Sequence, residues 1–353
     1  MHVCRRVGVG FLAAAMVWVI RHSPGGPSLA MAALPASAPA SAPAFVAPAG
    51  PHAVIQTDAA WRDKARGRSV PVRIYAPDPN TARGLLPAVV ISHGLGGSRV
   101  GYEYLARHLA GHGYVCVVPT HMGSDTSILL GGGWSAMLAS LGDANNLVSR
   151  PGDISFVIDR MFDANAPAIL KGRVDPNRVG VAGHSFGAYT ALAVAGQTIR
   201  LDGNERSFRD GRVKAALAMS PQGPGRMGLT QKSWDAVRIP VMIMTGSKDY
   251  SLGGGFDVRS RRYAFDHMPP NDKHLLWIED ASHLAFSDNA RDPMDLSRFV
   301  TRDPRHHPWI LATATAFFDA YLKGDAKAGE WLAKTEIKRV SEGQVKLERK
   351  AKD

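Results

Sequence analysis

Short, almost wholly apolar runs alternate along this chain with segments whose apolar residues recur every three or four positions. Pro87-Ala88-Val89-Val90-Ile91-Ser92 is a continuous apolar run, the pattern of a strand covered on both faces. Tyr114 to Val118, Arg178 to Ala182, Val213 to Met219, Pro240 to Thr245 and His274 to Ile278 read the same way. Val70 to Tyr75 alternates and contains Pro71, which predicts an edge strand. Between these runs, Tyr102 to His112 places Tyr102, Leu105, Ala106 and Leu109 on one helical face and stops at Gly113. Asp153 to Phe162, Phe186 to Ala195 and Trp309 to Leu322 are further helices. Strands alternating with helices predict an α/β fold: βαβ units around a mainly parallel central sheet, with helices on both faces. No internal repeat is present. Thr335 to Asp353 is charge-rich and mixed in sign, and fits either a solvated helix or a terminal strand.

The start of the chain follows other rules. Arg5 and Arg6 precede an apolar run of 14 residues, Val7 to Ile20, and small residues follow, including Ala30-Met31-Ala32. A positive start, an apolar middle and a small-residue exit describe a secretory signal peptide, expected over residues 1–33. A membrane span needs about 20 apolar residues, so the run predicts export to the periplasm or the medium without a stable membrane anchor. Residues 34–53 are dominated by Ala, Pro and Ser and are expected to form an extended tether. The folded domain is expected over 54–325, followed by a charged tail over 326–353.

Composition narrows the classes. Of 353 residues, 45% are hydrophobic and 21% charged, which excludes a disordered chain, a collagen-like repeat and a coiled coil. The formal charge of +11 falls to +8 if residues 1–33, with three arginines and no acid, are removed. The excess is spread along the chain, so nucleic acid is not an expected partner. The two cysteines, Cys4 and Cys116, exclude a disulfide scaffold and a cysteine-built zinc site.

Candidate chemistry lies where strands end. Gly183-His184-Ser185-Phe186-Gly187 fits G-x-S-x-G between a strand and a helix, the setting of a nucleophile elbow around Ser185. A serine hydroxyl needs a base. His283, just after the strand His274 to Ile278, is the candidate. His267, His274, His306 and His307 are the competitors: His274 falls inside a strand, and His306 and His307 fall in a basic, proline-flanked loop. The orienting acid is assigned to Asp249, after the strand ending at Thr245. Asp280 would be a local loop contact, and Asp235 lies at the opposite end of the sheet. Ser92-His93-Gly94-Leu95-Gly96-Gly97 follows an early strand and supplies Leu95 as one oxyanion N–H donor, with Phe186 as the other. No dinucleotide fingerprint, Walker lysine or metal-ligand set occurs, so no cofactor and no metal are expected.

These residues carry a resemblance. Over about 54–325 the chain resembles the α/β-hydrolase superfamily. Ser92 to Ser98, the Gly111-His112-Gly113-Tyr114 stretch and Gly183 to Ala188 are similar to dienelactone-hydrolase-like and platelet-activating-factor-acetylhydrolase-like serine esterases. Ile278 to His283 is similar to the histidine loop of cutinase-like polyester hydrolases. Dienelactone hydrolases use a cysteine where this chain has Ser185. Acetylhydrolases place their acid after the strand following the elbow helix, where this chain reads Ser220-Pro221-Gln222. The resemblance therefore implies a cutinase-like acid at Asp249, although Gln222 stands where cutinase-like enzymes carry an aromatic platform.

Met122 to Arg150 reads as an insert overhanging the site. Ile128, Leu129 and above all Trp134, Met137 and Leu138 are expected either to line an apolar pocket or to pack as core under a long loop. The combined reading is an exported serine ester hydrolase acting on a small-molecule or polymeric ester. A peptidase or acyltransferase using the same three residues, or a non-catalytic binding module that keeps the fold, are the alternatives.

Overall fold

This computed structural model describes residues 47–250, 257–270, 272–288, 303, 305–334 and 336–350. The expected signal peptide, with Cys4, and the tether up to residue 46 lie outside the described residues. The last tether residues are packed, not extended into solvent: the His52 N–H donates to the Gly111 carbonyl at 3.1 Å, and Ala47 is buried.

In chain order the elements are β1 (Val54–Asp63), β2 (Arg68–Pro77), β3 (Leu86–Ser92), α1 (Glu103–Gly111), β4 (Val115–Pro119), α2 (Thr126–Ala139), α3 (Ala144–Met161) and β5 (Val174–His184). Then come α4 (Phe186–Ala195), the hairpin β6 (Thr198–Leu201) and β7 (Asn204–Ser207), β8 (Val213–Met219), β9 (Val241–Lys248) and α5 (Tyr263–His267). β10 (Lys273–Ser282), α6 (His306–Phe318), α7 (Ala326–Ala333), α8 (Glu336–Val340) and β11 (Val345–Lys350) complete the chain. Nine strands form one sheet in the order β1-β2-β4-β3-β5-β8-β9-β10-β11. The run from β4 through β10 is parallel, with antiparallel pairs at both ends.

Alternation along the central strands explains the two helical layers. Ala88, Val90, Val117, Val181, Ala218 and Ile243 face α3 and α4, while Val89, Ile91, Val118, Ala182, Leu217 and Met244 face α1 and α6. Both faces are apolar because both are covered, which is why these strands read as continuous hydrophobic runs.

Several elements differ from expectation. Val70 to Tyr75 lies in β2, which has neighbours on both sides, so it is not an edge. Pro71 is tolerated because its carbonyl, which accepts from the Thr120 N–H at 2.7 Å, points to the side where the β4 ladder begins only at Val72. No N–H is required of Pro71 there. The expected loop over 122–150 is largely helical: α2 is capped by Asp125 and α3 by Asp143, each accepting from the N–H two residues on. α3 runs through Pro151, so it starts well before Asp153. His306 and His307 open α6 and are not in a loop.

The charged end becomes structure. β11 pairs with β10 from Ile278↔Val345 to Lys273↔Lys350, and Val345 is fully buried. Val345→Asp should therefore cost about 3 kcal/mol or more in urea unfolding, since it buries an unpaired charge, while Lys346→Asp on the exposed side should stay within about 0.5 kcal/mol. Equal, negligible effects of both would show that 345–350 does not belong to the folded sheet.

Candidate active site

The carboxyl ends of the parallel strands meet at one point. Ser185 stands between β5 and α4 with φ 55° and ψ −116°, a strained conformation for a residue with a side chain. The turn has no spare room. A Cβ on Gly183 would lie 2.1 Å from the Gly187 carbonyl oxygen, and one on Gly187 would lie 2.0 Å from that of Ser92. The Ser185 N–H donates to the Met219 carbonyl at 2.9 Å, tying the turn to β8.

Ser185 Oγ lies 2.9 Å from His283 Nε2, and His283 Nδ1 lies 2.7 Å from Asp249 Oδ1. Asp249 follows β9 and is fully buried. Burial alone would raise its carboxyl, but the facing His283 ring and the Arg261 guanidinium outweigh it and hold the group well below the usual carboxylate range. An ionised carboxylate can only accept, so His283 Nδ1 carries the hydrogen and Nε2 presents its lone pair to the Ser185 hydroxyl. Thr245 Oγ1 donates to the other Asp249 oxygen at 2.8 Å. Arg261 lies 3.3 Å from Asp249 Oδ1 and also donates to the carbonyls of Ser220 and Pro221.

The competing residues lie elsewhere. Asp280 pairs with Lys248 at 2.8 Å in an exposed contact. His274 is buried in β10 against Tyr321, His267 stacks on Tyr263, and His307 stacks on Tyr104.

The loop after β3 approaches the same turn. Among the described residues neither the Leu95 nor the Phe186 N–H has an acceptor. His93 shapes this loop. Burial pushes its ring well below the ordinary histidine range, so it is neutral. Nδ1–H donates to the Gly94 carbonyl at 2.6 Å, and Nε2 accepts from the His121 N–H at 3.0 Å. His184 and Tyr102, to which no sequence motif gives a role, join the loops. Neutral His184 donates from Nε2 to the His283 carbonyl at 2.8 Å, so its Nδ1 accepts from the Tyr102 hydroxyl at 2.7 Å. The Tyr102 oxygen in turn accepts from the Gly94 N–H at 3.3 Å. Asp288 accepts from the N–H groups of Tyr102 and Tyr104, so the segment after His283 is clamped to the start of α1. No local pattern signals these contacts beyond the side-chain types themselves.

The insert is tied to the same loop. Thr126, the first residue of α2, donates from Oγ1 to the Gly96 carbonyl at 2.8 Å. α2 breaks at Gly133 (φ 67°, ψ −167°). Met137 is buried, Leu138 is 49% exposed, and the Trp134 side chain lies outside the described residues. The structure thus separates Met137 from Leu138 instead of placing both in one lining.

Behind the loop lies a buried polar cluster. Asp153 accepts from Arg68 Nε at 2.7 Å and from His121 Nδ1 at 3.0 Å. Burial opposes its charge, but the bonds from His121 and Arg68 hold its carboxyl down at about 2. His121 is pushed down to about 4, by burial first and then by Arg150, and its Nε2 accepts from Ser92 Oγ at 2.9 Å.

The fold is that of the α/β-hydrolases, and the sequence is similar to cutinases and, over a shorter stretch, to an acetylhydrolase family. The family model described as platelet-activating factor acetylhydrolase, isoform II, matches residues 64–130. Cutinase est2 of Thermobifida alba is 26% identical over 242 residues, a match covering 67% of this chain and 66% of that protein. Cutinase cut1 of Thermobifida fusca is 27% identical over 67% of this chain and 62% of its own. The chain thus spans about two thirds of the length of these relatives. A ferulic acid esterase from Streptomyces cinnamoneus superimposes with a TM-score of 0.58, covering 87% of this chain and 98% of that one at 19% identity, a likeness of fold.

The neutral buried histidines make stability fall in acid. The unfolded chain protonates His121 near pH 6.5, while the folded chain resists until about pH 4. The stability linked to His121 is complete above about pH 6.5 and is lost by about pH 4, a change of about 3 kcal/mol. Urea unfolding at pH 7, 5.5 and 4.5 should show the decline, and His121→Asn should make it shallower. Equal wild-type stability at pH 7 and 4.5 would contradict a neutral buried ring.

Proposed function

We propose that the protein is a carboxylic ester hydrolase that works through Ser185, His283 and Asp249 and an acyl-enzyme. The observation that carries this is the unbroken Ser185–His283–Asp249 contact chain of 2.9 and 2.7 Å. The likeness to cutinases supports the ester class.

In this mechanism Ser185 Oγ attacks the ester carbonyl carbon while its proton passes to His283 Nε2. Asp249 stabilises the imidazolium that forms. The carbonyl oxygen becomes an oxyanion held by the Leu95 and Phe186 N–H groups, which have no other acceptor among the described residues. Collapse expels the alcohol, which takes the proton from Nε2. Water then attacks the acyl-serine, gives its proton to His283, and the acid leaves as Ser185 regains its hydrogen. α2, anchored to Gly96 through Thr126, borders the acyl or alcohol side, where its exposed Leu138, and not the buried Met137, meets small or polymeric esters. The N-terminal pattern supports export. No helix among the described residues is long and apolar enough to cross a membrane.

A chromogenic short-chain ester provides the assay. Ser185→Ala should lower kcat by about 10⁴-fold or more with the fold intact. Asp249→Asn should lower it by about 10³–10⁴-fold through the wrong His283 tautomer, while Asp280→Asn stays within about twofold. Normal turnover by folded Ser185→Ala would overturn the reading, and a large loss in Asp280→Asn alone would transfer the acid's role.

Shortening α2 between Leu130 and Met137 should change the acyl-length preference across a panel of esters while leaving the acid limb of the pH profile in place. An unchanged preference in the folded variant would remove α2 from substrate selection.

A further inference from the structure

We propose that Arg150 is a positioning residue for oxyanion stabilisation, joining both donor segments through one buried guanidinium and setting a fixed positive charge beside them. The inference rests on the reading of Ser185 as nucleophile.

Arg150 lies in α3 and is fully buried. Its Nε donates to Thr190 Oγ1 in α4 at 3.0 Å, and Nη1 donates to Ser124 Oγ, ahead of α2, at 2.8 Å. Nη2 donates to Ser92 Oγ at 3.2 Å and to the His93 carbonyl. The guanidinium carbon stands 4.3 Å from the centre of the Phe186 ring. One side chain thus touches the end of β3, the loop after it, the approach to α2 and the elbow helix.

The contacts converge on the two donors. His93 donates to the Gly94 carbonyl, which belongs to the same peptide unit as the Leu95 N–H. Arg150 holds the His93 carbonyl and so fixes the residue that orients this unit. On the other side it packs on the ring of Phe186, whose own N–H is the second donor. A planar fork of five N–H groups can satisfy such divergent acceptors, and a single ammonium cannot.

The charge is informative because no carboxylate bonds to it directly, although Asp153, one turn on in α3, acts on it through space. Among the described residues no carboxylate oxygen lies within ion-pair distance of Arg150. The Asp153 carboxylate is engaged by His121, Arg68 and Arg66. A dehydrated cation surrounded by neutral oxygens is costly to fold. Its field, however, favours a state in which negative charge develops nearby, and in ester hydrolysis that charge exists only at the oxyanion stage.

Arg150→Lys, Arg150→Met and Ser124→Ala, made in the full chain, test this. A fluorophosphonate counts reactive Ser185, so turnover is expressed per labelled site. Arg150→Met should lower kcat per site by about 10²-fold, in the range of a lost oxyanion contact, with KM within about threefold. Affinity for an alkyl boronic acid, which forms a tetrahedral anion on Ser185, should fall in parallel. Arg150→Lys should lie between, Ser124→Ala should lose a few-fold, and the acid limb of the pH profile should stay in place.

Normal kcat per labelled site with fewer labelled sites would mean that Arg150 only supports folding, and would overturn the proposal. A loss confined to KM, or unchanged boronic acid affinity, would do the same. If Arg150→Met does not fold, Arg150→Lys decides: turnover per site within twofold of wild type rejects the role. Failure of the fluorophosphonate to label Ser185 in the wild type would overturn the nucleophile reading instead.

Discussion

At Gly187 the elbow helix comes so close to β3 that the Ser92 carbonyl occupies the place of a β-carbon. Gly183 meets Gly187 in the same way across the turn. This double close approach forces the chain between them into the left-handed region and lifts Ser185 clear of the sheet. The rest of the site is arranged around that point. β9 and β10 deliver Asp249 and His283 from their carboxyl ends, and the loop after β3 comes alongside because its strand touches the helix. The sheet's parallel run matters because it brings all these strand ends to one edge.

Close packing at the turn imposes an electrostatic condition on what surrounds it. His93, His121 and His184 are all buried and all kept neutral, so each offers one donor and one acceptor. Each is used on both nitrogens, and together they connect β3, β4, the elbow and the histidine loop. The buried charged groups around the site each have their own hydrogen-bond partners. Asp249 faces His283 and Arg261, Asp153 faces Arg68 and His121, and Arg150 faces neutral oxygens. Neutral histidines join the loops without adding a charge to a region in which the proposed chemistry creates one of its own.

Two segments stand beside the proposed reacting groups without supplying any of them. The segment after β8 holds a buried Gln222, and α2 with its exposed Leu130 and Leu138 borders the loop after β3. Loops at strand ends can vary without disturbing the sheet that supports the reacting groups.

Much of this was readable in the chain itself. The bounds of α4 and β8 match their apolar runs, because a segment covered on both sides is apolar at nearly every position. Ser185, Asp249 and His283 were legible because each follows a buried strand and needs only its local setting to be noticed. β1 escapes the pattern because four of its ten residues are exposed, and β11 stays ambiguous because only Val345 is wholly buried. The start of α3 was hidden by Pro151, and α2 by its glycines. Arg150, Asp153, Tyr102, His184 and Arg261 had no signal in the sequence. Their meaning lies in hydrogen bonds to residues dozens of positions away, and a bond between distant segments leaves no periodicity, motif or spacing in either one. Local chemistry determined which strands and which reactive groups this protein has; the tertiary structure alone decided which buried polar groups hold them together, because only packing brings those partners within reach.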